Sequence, residues 1–294
     1  MKGNISEQQQ PSYWRKSLFL GIIIEAMTRT LKILLAYFKV GFAKHFYYRI
    51  SILLGIFSRV FGLGFLIFLW SSIYADHQAI GGKTLNQIIV YYLFAYIARI
   101  MTNPSIASTI GERIKTGEMQ LYLLRPGHIL LSFFSMPFSK RIYELVLFLL
   151  ILAFLKVTFF SGFALNAGEF NYLGFFIFLI FGIIINFLIA SILAASAFWI
   201  TETGAILYGY TSVSGILSGL LIPIAFFPEW AKNIITYLPF RFTISDPVLV
   251  LQRDLAGIDL YLAALYAVCW ILSLYFINYY IWQFSVRKFD AVGH

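Results

Sequence analysis

Six apolar stretches occupy most of this chain, and each is long enough to cross a lipid bilayer as a helix. A transmembrane helix needs about 20 mostly apolar residues, because the hydrocarbon core is about 30 Å thick. Backbone groups inside lipid must be hydrogen-bonded within the protein, so such stretches predict helices rather than loops. The predicted spans are about 50–74, 86–110, 137–160, 172–199, 204–227 and 260–284. The fold class expected from this pattern is an all-α membrane protein with six transmembrane helices.

Composition limits what else the chain contains. Only 12% of its residues are charged and 60% are hydrophobic, whereas a soluble domain has about 25% charged residues. Six spans and their connections use nearly all 294 residues, so a polar tail at 1–16 and a single membrane domain at 17–294 are predicted. The formal charge of +9 lies mainly beside the spans, which is typical of membrane topology. We therefore expect contact with membrane lipid and no nucleic-acid partner.

Basic residues also predict the orientation. They concentrate in the N-terminal segment, in the 111–141 connection and at the C-terminal end, whereas the loops at 75–85 and 161–171 contain one lysine between them. With six spans, all the basic segments fall on one side of the membrane, and the positive-inside rule makes that side cytoplasmic. The sequence predicts a multi-pass protein of the cell (inner) membrane with both termini in the cytoplasm.

Residues 17–49 are apolar but contain several charges. Leucines recur at helical spacing among Glu25, Arg29 and Lys32, which favours an amphipathic helix lying in the cytoplasmic interface. The alternative is an additional span from Leu18 to Leu35. That alternative would place three charged side chains in lipid at considerable cost.

The connection at 111–127 is the most polar internal segment of the chain. Gly111, Gly117 and the Pro126–Gly127 pair delimit a stretch long enough for about two helical turns. A short helix with charged ends and an apolar face suits docking into a groove of a soluble partner. An ordinary interfacial loop is the alternative, and the residues alone do not decide between the two.

The stretch from 221 to 259 is interrupted by four prolines: Pro223, Pro228, Pro239 and Pro247. It is too apolar for a free outer loop and too broken for a span, so we predict a re-entrant outer segment of short helices between spans 5 and 6. Irregular backbone at that depth must be buried in protein or line a cavity. The segment either lines an exit route or caps the interface, with Trp230 as a headgroup-level anchor.

Two arginines lie inside predicted spans. Arg59 and Arg99 fall in spans 1 and 2, and Glu144 in span 3 is a candidate partner. An ionisable residue within a span is a functional candidate because placing it there is costly. An internal polar clasp and contact with a substrate are both open interpretations.

Catalytic patterns are absent from the sequence. The four histidines are scattered without metal-ligand spacing, and no glycine-rich phosphate loop ending in Lys-Ser or Lys-Thr occurs. We therefore expect a chain that is not an enzyme and that has no metal site and no cofactor of its own.

Two motifs resemble those of ABC-2 type transporter permeases. One is Gly-Glu-x5-Leu-Arg-Pro from Gly117 to Pro126, which follows span 2. The other is the proline-rich tract from Gly219 to Pro247, which is similar to the fifth span and outer re-entrant helices of that family. With the amphipathic N-terminal segment and the order of the spans, the resemblance covers roughly residues 25–290.

The resemblance implies the permease subunit of an ATP-driven exporter. Its cargo would be hydrophobic or amphipathic: a drug, a natural product, a lipid or a lipid-linked glycan. A separate cytosolic ABC ATPase subunit would bind ATP and Mg, and a second permease subunit, identical or homologous, would complete the transporter. Contact with the ATPase is implied for Glu112, Arg113, Gly117, Glu118, Leu121, Leu124, Arg125 and Pro126. An outer gate is implied for Pro223, Phe227, Pro228, Trp230, Pro239, Phe240 and Pro247. A secondary transporter or channel, and a membrane anchor without transport activity, are the alternatives.

Overall fold

The computed structural model describes residues 28, 31–44, 49–103, 105–123, 129–159, 170–200 and 204–287, and these residues are almost entirely helical. The α-helices are α1 (31–44), α2 (Arg49–Ile73), α3 (Leu85–Met101), α4 (Ser105–Lys115), α5 (Met119–Leu123), α6 (Ile129–Phe159), α7 (Tyr172–Ala195), α8 (Gly204–Leu217), α9 (Glu229–Tyr237), α10 (Ser245–Leu251) and α11 (Gly257–Arg287). Short 3-10 turns lie at Ser196–Phe198, Ile224–Phe226 and Pro239–Thr243. The tail at 1–16 lies outside the described residues.

Within the described residues, three helical stretches are long and apolar enough to cross a membrane: Arg49–Ile73, Tyr172–Phe198 and Gly257–Ser285. The shorter helix α3 is also apolar. These stretches confirm the prediction of an all-α membrane protein. The number of six spans stays a prediction.

The predicted span at 86–110 is broken into two helices. A capping box begins α3, since the Gln87 amide donates to Thr84 Oγ1 and the Thr84 amide donates to the Gln87 side chain. The helix ends at Met101, and Asn103 is not helical. Pro104 comes next in the sequence, and the residue before a proline is disfavoured in helical conformation.

Two further boundaries differ from the prediction. Helix α8 ends at Leu217, ten residues before the predicted end of span 5 at 227, and Gly219 just beyond it has a φ of +84°. A left-handed glycine is a usual helix terminator because it has no Cβ. Helix α6 begins at Ile129 rather than at 137, and Pro137 lies within it.

Helix α7 lies at the centre of the fold. It packs against α4, α10, α11 and the 3-10 turn Pro239–Thr243. The contact with that turn is close: a Cβ on Gly182 would lie 2.5 Å from the Phe242 carbonyl oxygen and 3.0 Å from the Thr243 Cα. Helices α2 and α3 pack against each other and against α6.

A two-stranded antiparallel hairpin, β1 (Ala79–Ile80) and β2 (Lys83–Thr84), connects α2 to α3. At the other end of α2, helix α1 packs on α6. Ser135 Oγ donates to the Leu34 carbonyl oxygen at 2.7 Å, and the Phe42 and Tyr143 rings meet edge to face at 5.6 Å. Residues 17–27, the first part of the predicted amphipathic helix, lie outside the described residues.

Candidate functional site

The break between α3 and α4 has a side chain bound to each of three successive carbonyl oxygens. Arg141 of α6 donates to Met101 O at 3.1 Å and to Asn103 O. The Asn186 amide of α7 donates to the carbonyl oxygen between them, that of Thr102. Unpaired carbonyl groups in an apolar interior are costly. The break is therefore stabilised by its neighbours.

Asn186 also connects the break to α8. Its Oδ1 atom accepts a hydrogen bond from the Tyr210 hydroxyl. A chain of hydrogen bonds thus connects the end of α3 and the break with α6, α7 and α8. None of these contacts was predicted from the sequence, because nothing near Asn186 or Arg141 in sequence indicates which carbonyl oxygens they reach.

Helices α4 and α5 form a corner around Gly117, which has a φ of +72°. The Arg113 guanidinium pairs with the Glu118 carboxylate across this corner. Met119 is fully buried in a cluster that includes Ile110 and Trp282. The corner is therefore packed onto the bundle.

The exposed surface of this corner includes an apolar side chain. Leu121 is 60% exposed, and Glu112 is exposed nearby in sequence. The structure thus brings together five of the residues predicted to contact an ATPase. Leu124, Arg125 and Pro126 lie outside the described residues. The coupling role of this set stays a prediction.

Residues 219–254, here called the proline segment, fold into two 3-10 turns and helices α9 and α10. A buried ion pair stabilises it: Arg241 Nε lies 2.8 and 2.9 Å from the two Asp246 carboxylate oxygens. Arg241 also donates to the Thr236 carbonyl oxygen at 3.2 Å. Asp246 is fully buried. Burial raises the pKa of its carboxyl above the ordinary value, and the Arg241 charge opposes that shift.

This ion pair was not predicted from the sequence. A sharper signal was present in the sequence. A basic and an acidic residue five positions apart, in a tract that is otherwise apolar, indicate a local ion pair.

Helix α3 is hydrogen-bonded directly to the proline segment. The Tyr91 hydroxyl donates to Gly219 O at 2.8 Å, and the Tyr92 hydroxyl donates to Leu221 O at 3.0 Å. Trp70 of α2 donates to the Tyr92 hydroxyl oxygen at 2.8 Å. The middle of α3 therefore contacts the proline segment, and its C-terminal end forms the break before α4.

A cavity of about 360 Å³ separates the hairpin and the start of α3 from α9 and α10. Lys83, Gln87, Pro223, Phe226 and Arg241 line it. Its rim is tied across, since Lys83 pairs with Asp254 and Gln252 donates to the Gln87 carbonyl oxygen at 2.7 Å.

The residues predicted to form an outer gate all belong to the proline segment. Pro223, Pro239 and Pro247 are buried, Phe227 and Phe240 are half-buried, and Pro228 and Trp230 are exposed. Pro223 lines the cavity and Pro228 precedes α9 as its N-cap residue. The gating role of this set stays a prediction.

The intramembrane charges lie close together. Arg59 Nη2 is 3.0 Å from Glu144 Oε2, and Lys140 Nζ is 3.7 Å from the other carboxylate oxygen. Arg99 is half-buried and lies within electrostatic range of Arg59 and Tyr210. Whether these residues act on a substrate stays a prediction.

Comparison with known proteins identifies one family. A family model described as "ABC-2 family transporter protein" matches residues 60–293. The matched range includes the α4–α5 corner, the broken helix and the proline segment. No curated protein matches the chain.

Proposed function

Because the chain belongs to the ABC-2 family of transporter proteins, we propose that it exports a hydrophobic or amphipathic compound with energy from a separate ATPase. The family is one of membrane subunits of ABC transporters, and the chain is a permease of that kind. In the proposed complex, two permease subunits, identical or homologous, associate with cytosolic ABC ATPases that bind ATP and Mg. The chain lies in the inner membrane with both termini in the cytoplasm.

The α4–α5 corner is the proposed contact with the ATPase. An exposed leucine close in sequence to charged residues, on a short helix packed firmly onto the bundle, suits a groove in a soluble partner. Leu121 is such a residue, and Met119 two positions earlier anchors the helix. Since Glu118 is already paired with Arg113, the exposed Glu112 is the freer charge for a contact between subunits.

The observation that carries the coupling proposal is the path through α3. The C-terminal end of this helix meets α4 at the hydrogen-bonded break, and Tyr91 and Tyr92 in its middle donate to the proline segment. A rigid helix between two such contacts transmits a displacement of the α4–α5 corner to the predicted gate. Such transitions usually occur between two discrete packings.

The energy for that transition must come from the partner. A ligand shifts a conformational equilibrium only by the difference between its affinities for the two states. ATP bound between the ATPase subunits provides this difference. The permease converts it into a shift of α3 and into loss of the contacts made by Tyr91 and Tyr92.

The test is whether a separate ATPase co-purifies with the chain and whether its retention depends on Leu121. The tagged full-length chain is purified from its native membranes, and ATP hydrolysis in the purified fraction is measured with photo-labelling by azido-ATP. We expect the wild-type fraction to hydrolyse ATP and the Leu121→Glu fraction to lose most of that activity, because a charge would enter an apolar contact.

The matched control is Gln120→Glu, which adds the same charge one position away, on a half-buried residue. It should retain the activity. Equal ATP hydrolysis in the wild-type and Leu121→Glu fractions would remove the corner from the interface. A labelled ATPase absent from the wild-type fraction would contradict the proposed function as a whole.

A further inference from the structure

The centre of the bundle has more positive than negative charge. Glu144 is the only carboxylate in the described parts of α2, α3, α6, α7 and α8. It lies within ion-pair distance of Arg59 and Lys140. Arg99 has no carboxylate partner among the described residues. The described part of the bundle thus contains cations that no described carboxylate neutralises.

Arg59 lies deep in the membrane. It is ten residues from the first residue of α2, which corresponds to about 15 Å along a helix. That is about half of a hydrocarbon core of about 30 Å. At this depth a long side chain does not easily reach the headgroups, so its charge must be neutralised within the bundle.

These arginines retain binding capacity. One terminal nitrogen of Arg59, Nη1, is buried and has no hydrogen-bond partner among the described residues. Arg99 is half-buried in α3, and a Cβ on Gly62, three residues after Arg59, would lie 2.8 Å from the hydroxyl of Tyr96, three residues before Arg99. The two arginines therefore lie at the same level of the contact between α2 and α3. Arginine remains protonated in proteins, so neither side chain relieves the imbalance by losing a proton. An external anion would relieve it.

We propose that Arg59 and Arg99 bind the anionic group of an amphipathic cargo, a phosphate or a carboxylate, at mid-depth in the bundle. The inference rests on the proposed function in taking the ligand as the transported compound. Guanidinium groups bind both of these anions through paired hydrogen bonds. Two arginines at the same level of the α2–α3 contact, one with a terminal nitrogen that has no partner among the described residues, are suited to one such group.

Glu144 gives the site a competing ligand. In the described structure its carboxylate holds Arg59, so an arriving anion competes with it for the same guanidinium. Removal of the Glu144 charge should therefore strengthen anion binding. The effect is opposite in sign to that of removing an arginine, and general damage to the fold would not produce it.

Binding is tested with the full-length chain in nanodiscs of phosphatidylcholine. The probes are dodecyl phosphate and dodecyl maltoside, which have the same tail and differ in charge, and the dissociation constants are measured by calorimetry. We expect the phosphate to bind at least about tenfold more tightly, because hydrogen bonds to charged groups are the stronger kind. Arg99→Gln should remove about tenfold of that affinity and leave maltoside binding unchanged.

Three further variants sharpen the result. Arg99→Lys should restore part of the affinity, and Glu144→Gln should increase it. Lys156→Gln removes one positive charge from an exposed position on α6 outside the cluster, and it should leave affinity unchanged. Equal binding of the two amphiphiles to the wild type would overturn the proposal. An equal loss in Lys156→Gln and Arg99→Gln would do the same.

Inorganic phosphate distinguishes the sources of the anion. If it displaces dodecyl phosphate, the site takes soluble anions as well as lipid-like ones; if it does not, the tail is required, and both results support the site.

A second copy of the chain is the rival source of negative charge. If Arg99→Gln lowers the dimer fraction in native mass spectrometry and leaves amphiphile affinity unchanged, the proposal is wrong. No ATPase is present, so this test and that of the proposed function fail independently.

Discussion

The contact between Tyr91 and Gly219 allows a quantitative prediction by a double-mutant cycle. Gly219 has a φ of +84°, and a Cβ there would lie 2.6 Å from the Tyr91 hydroxyl oxygen. The same hydroxyl donates to the Gly219 carbonyl oxygen at 2.8 Å. Gly219→Ala therefore strains the backbone and displaces the hydroxyl at the same time. Tyr91→Phe removes only the hydroxyl.

The expected costs follow from these two effects. A residue other than glycine in left-handed conformation costs about 1–2 kcal/mol, and a buried hydrogen-bonding group left without a partner costs about 1–3 kcal/mol. Gly219→Ala should thus lower the free energy of unfolding by about 2–5 kcal/mol. Tyr91→Phe should lower it by about 1–3 kcal/mol in the wild type and by almost nothing in the Gly219→Ala background.

The assay is reversible unfolding in mixed micelles, titrated with SDS and followed by tryptophan fluorescence. The single variants and the double variant should show a coupling energy of about 1–3 kcal/mol. Gly209→Ala is the control partner for Tyr91→Phe, since a Cβ at Gly209 meets nothing within 4 Å. That control cycle should be additive. Additivity within about 0.5 kcal/mol in the Gly219 cycle would refute the contact.

Three other predictions concern the tertiary contacts. Gly182→Ala should lower the free energy of unfolding by about 1–3 kcal/mol, because the added Cβ meets the backbone of the neighbouring 3-10 turn. Gly215→Ala is the control and should not lower it, because a Cβ at Gly215 meets nothing within 4 Å. Arg241→Met should destabilise the protein by about 3–5 kcal/mol at neutral pH, and the double variant with Asp246→Asn by less. In Arg241→Met, the buried Asp246 carboxyl binds a proton more tightly in the folded state than in the unfolded state. The free energy of unfolding of the Arg241→Met variant, relative to that of the wild type, should therefore fall as the pH rises through the pKa of Asp246 in the folded state. It should recover on acidification, and unfolding measured across a range of pH checks both changes. Arg141→Gln should speed amide hydrogen exchange at the break between α3 and α4, and unchanged exchange there would contradict the stabilising role of its guanidinium.

The predicted and observed helix boundaries, compared with each other, show where local sequence patterns were sufficient to predict a helix. Helix α2 was predicted at 50–74 and runs from Arg49 to Ile73. Its length and composition are local properties, and lipid admits few other structures for such a stretch. The end of α8 before Gly219 was missed because the apolar run continues beyond it. Apolarity indicates burial or lipid contact, and it does not indicate where a helix ends.

Some residues of the candidate site were likewise identifiable from the sequence, and others were not. Arg59 and Glu144 were identified because a charge in a span is rare and costly wherever its partner lies. The contacts of Arg141 and Asn186 at the break were not identifiable, since nothing near them in sequence reveals that carbonyl groups of α3 need donors. Arg241 and Asp246 were missed although they lie only five residues apart.

The sequence by itself determined the class of the protein, since a chain so apolar and so poor in charge must place its helices in lipid. It also predicted a polar connection at 111–127 and a segment after span 5 that prolines would break. Only the tertiary structure decided which side chains complete those breaks. Tyr91 contacts Gly219 across 128 positions, and such a pairing depends on how helices cross in space, which short-range periodicity does not encode.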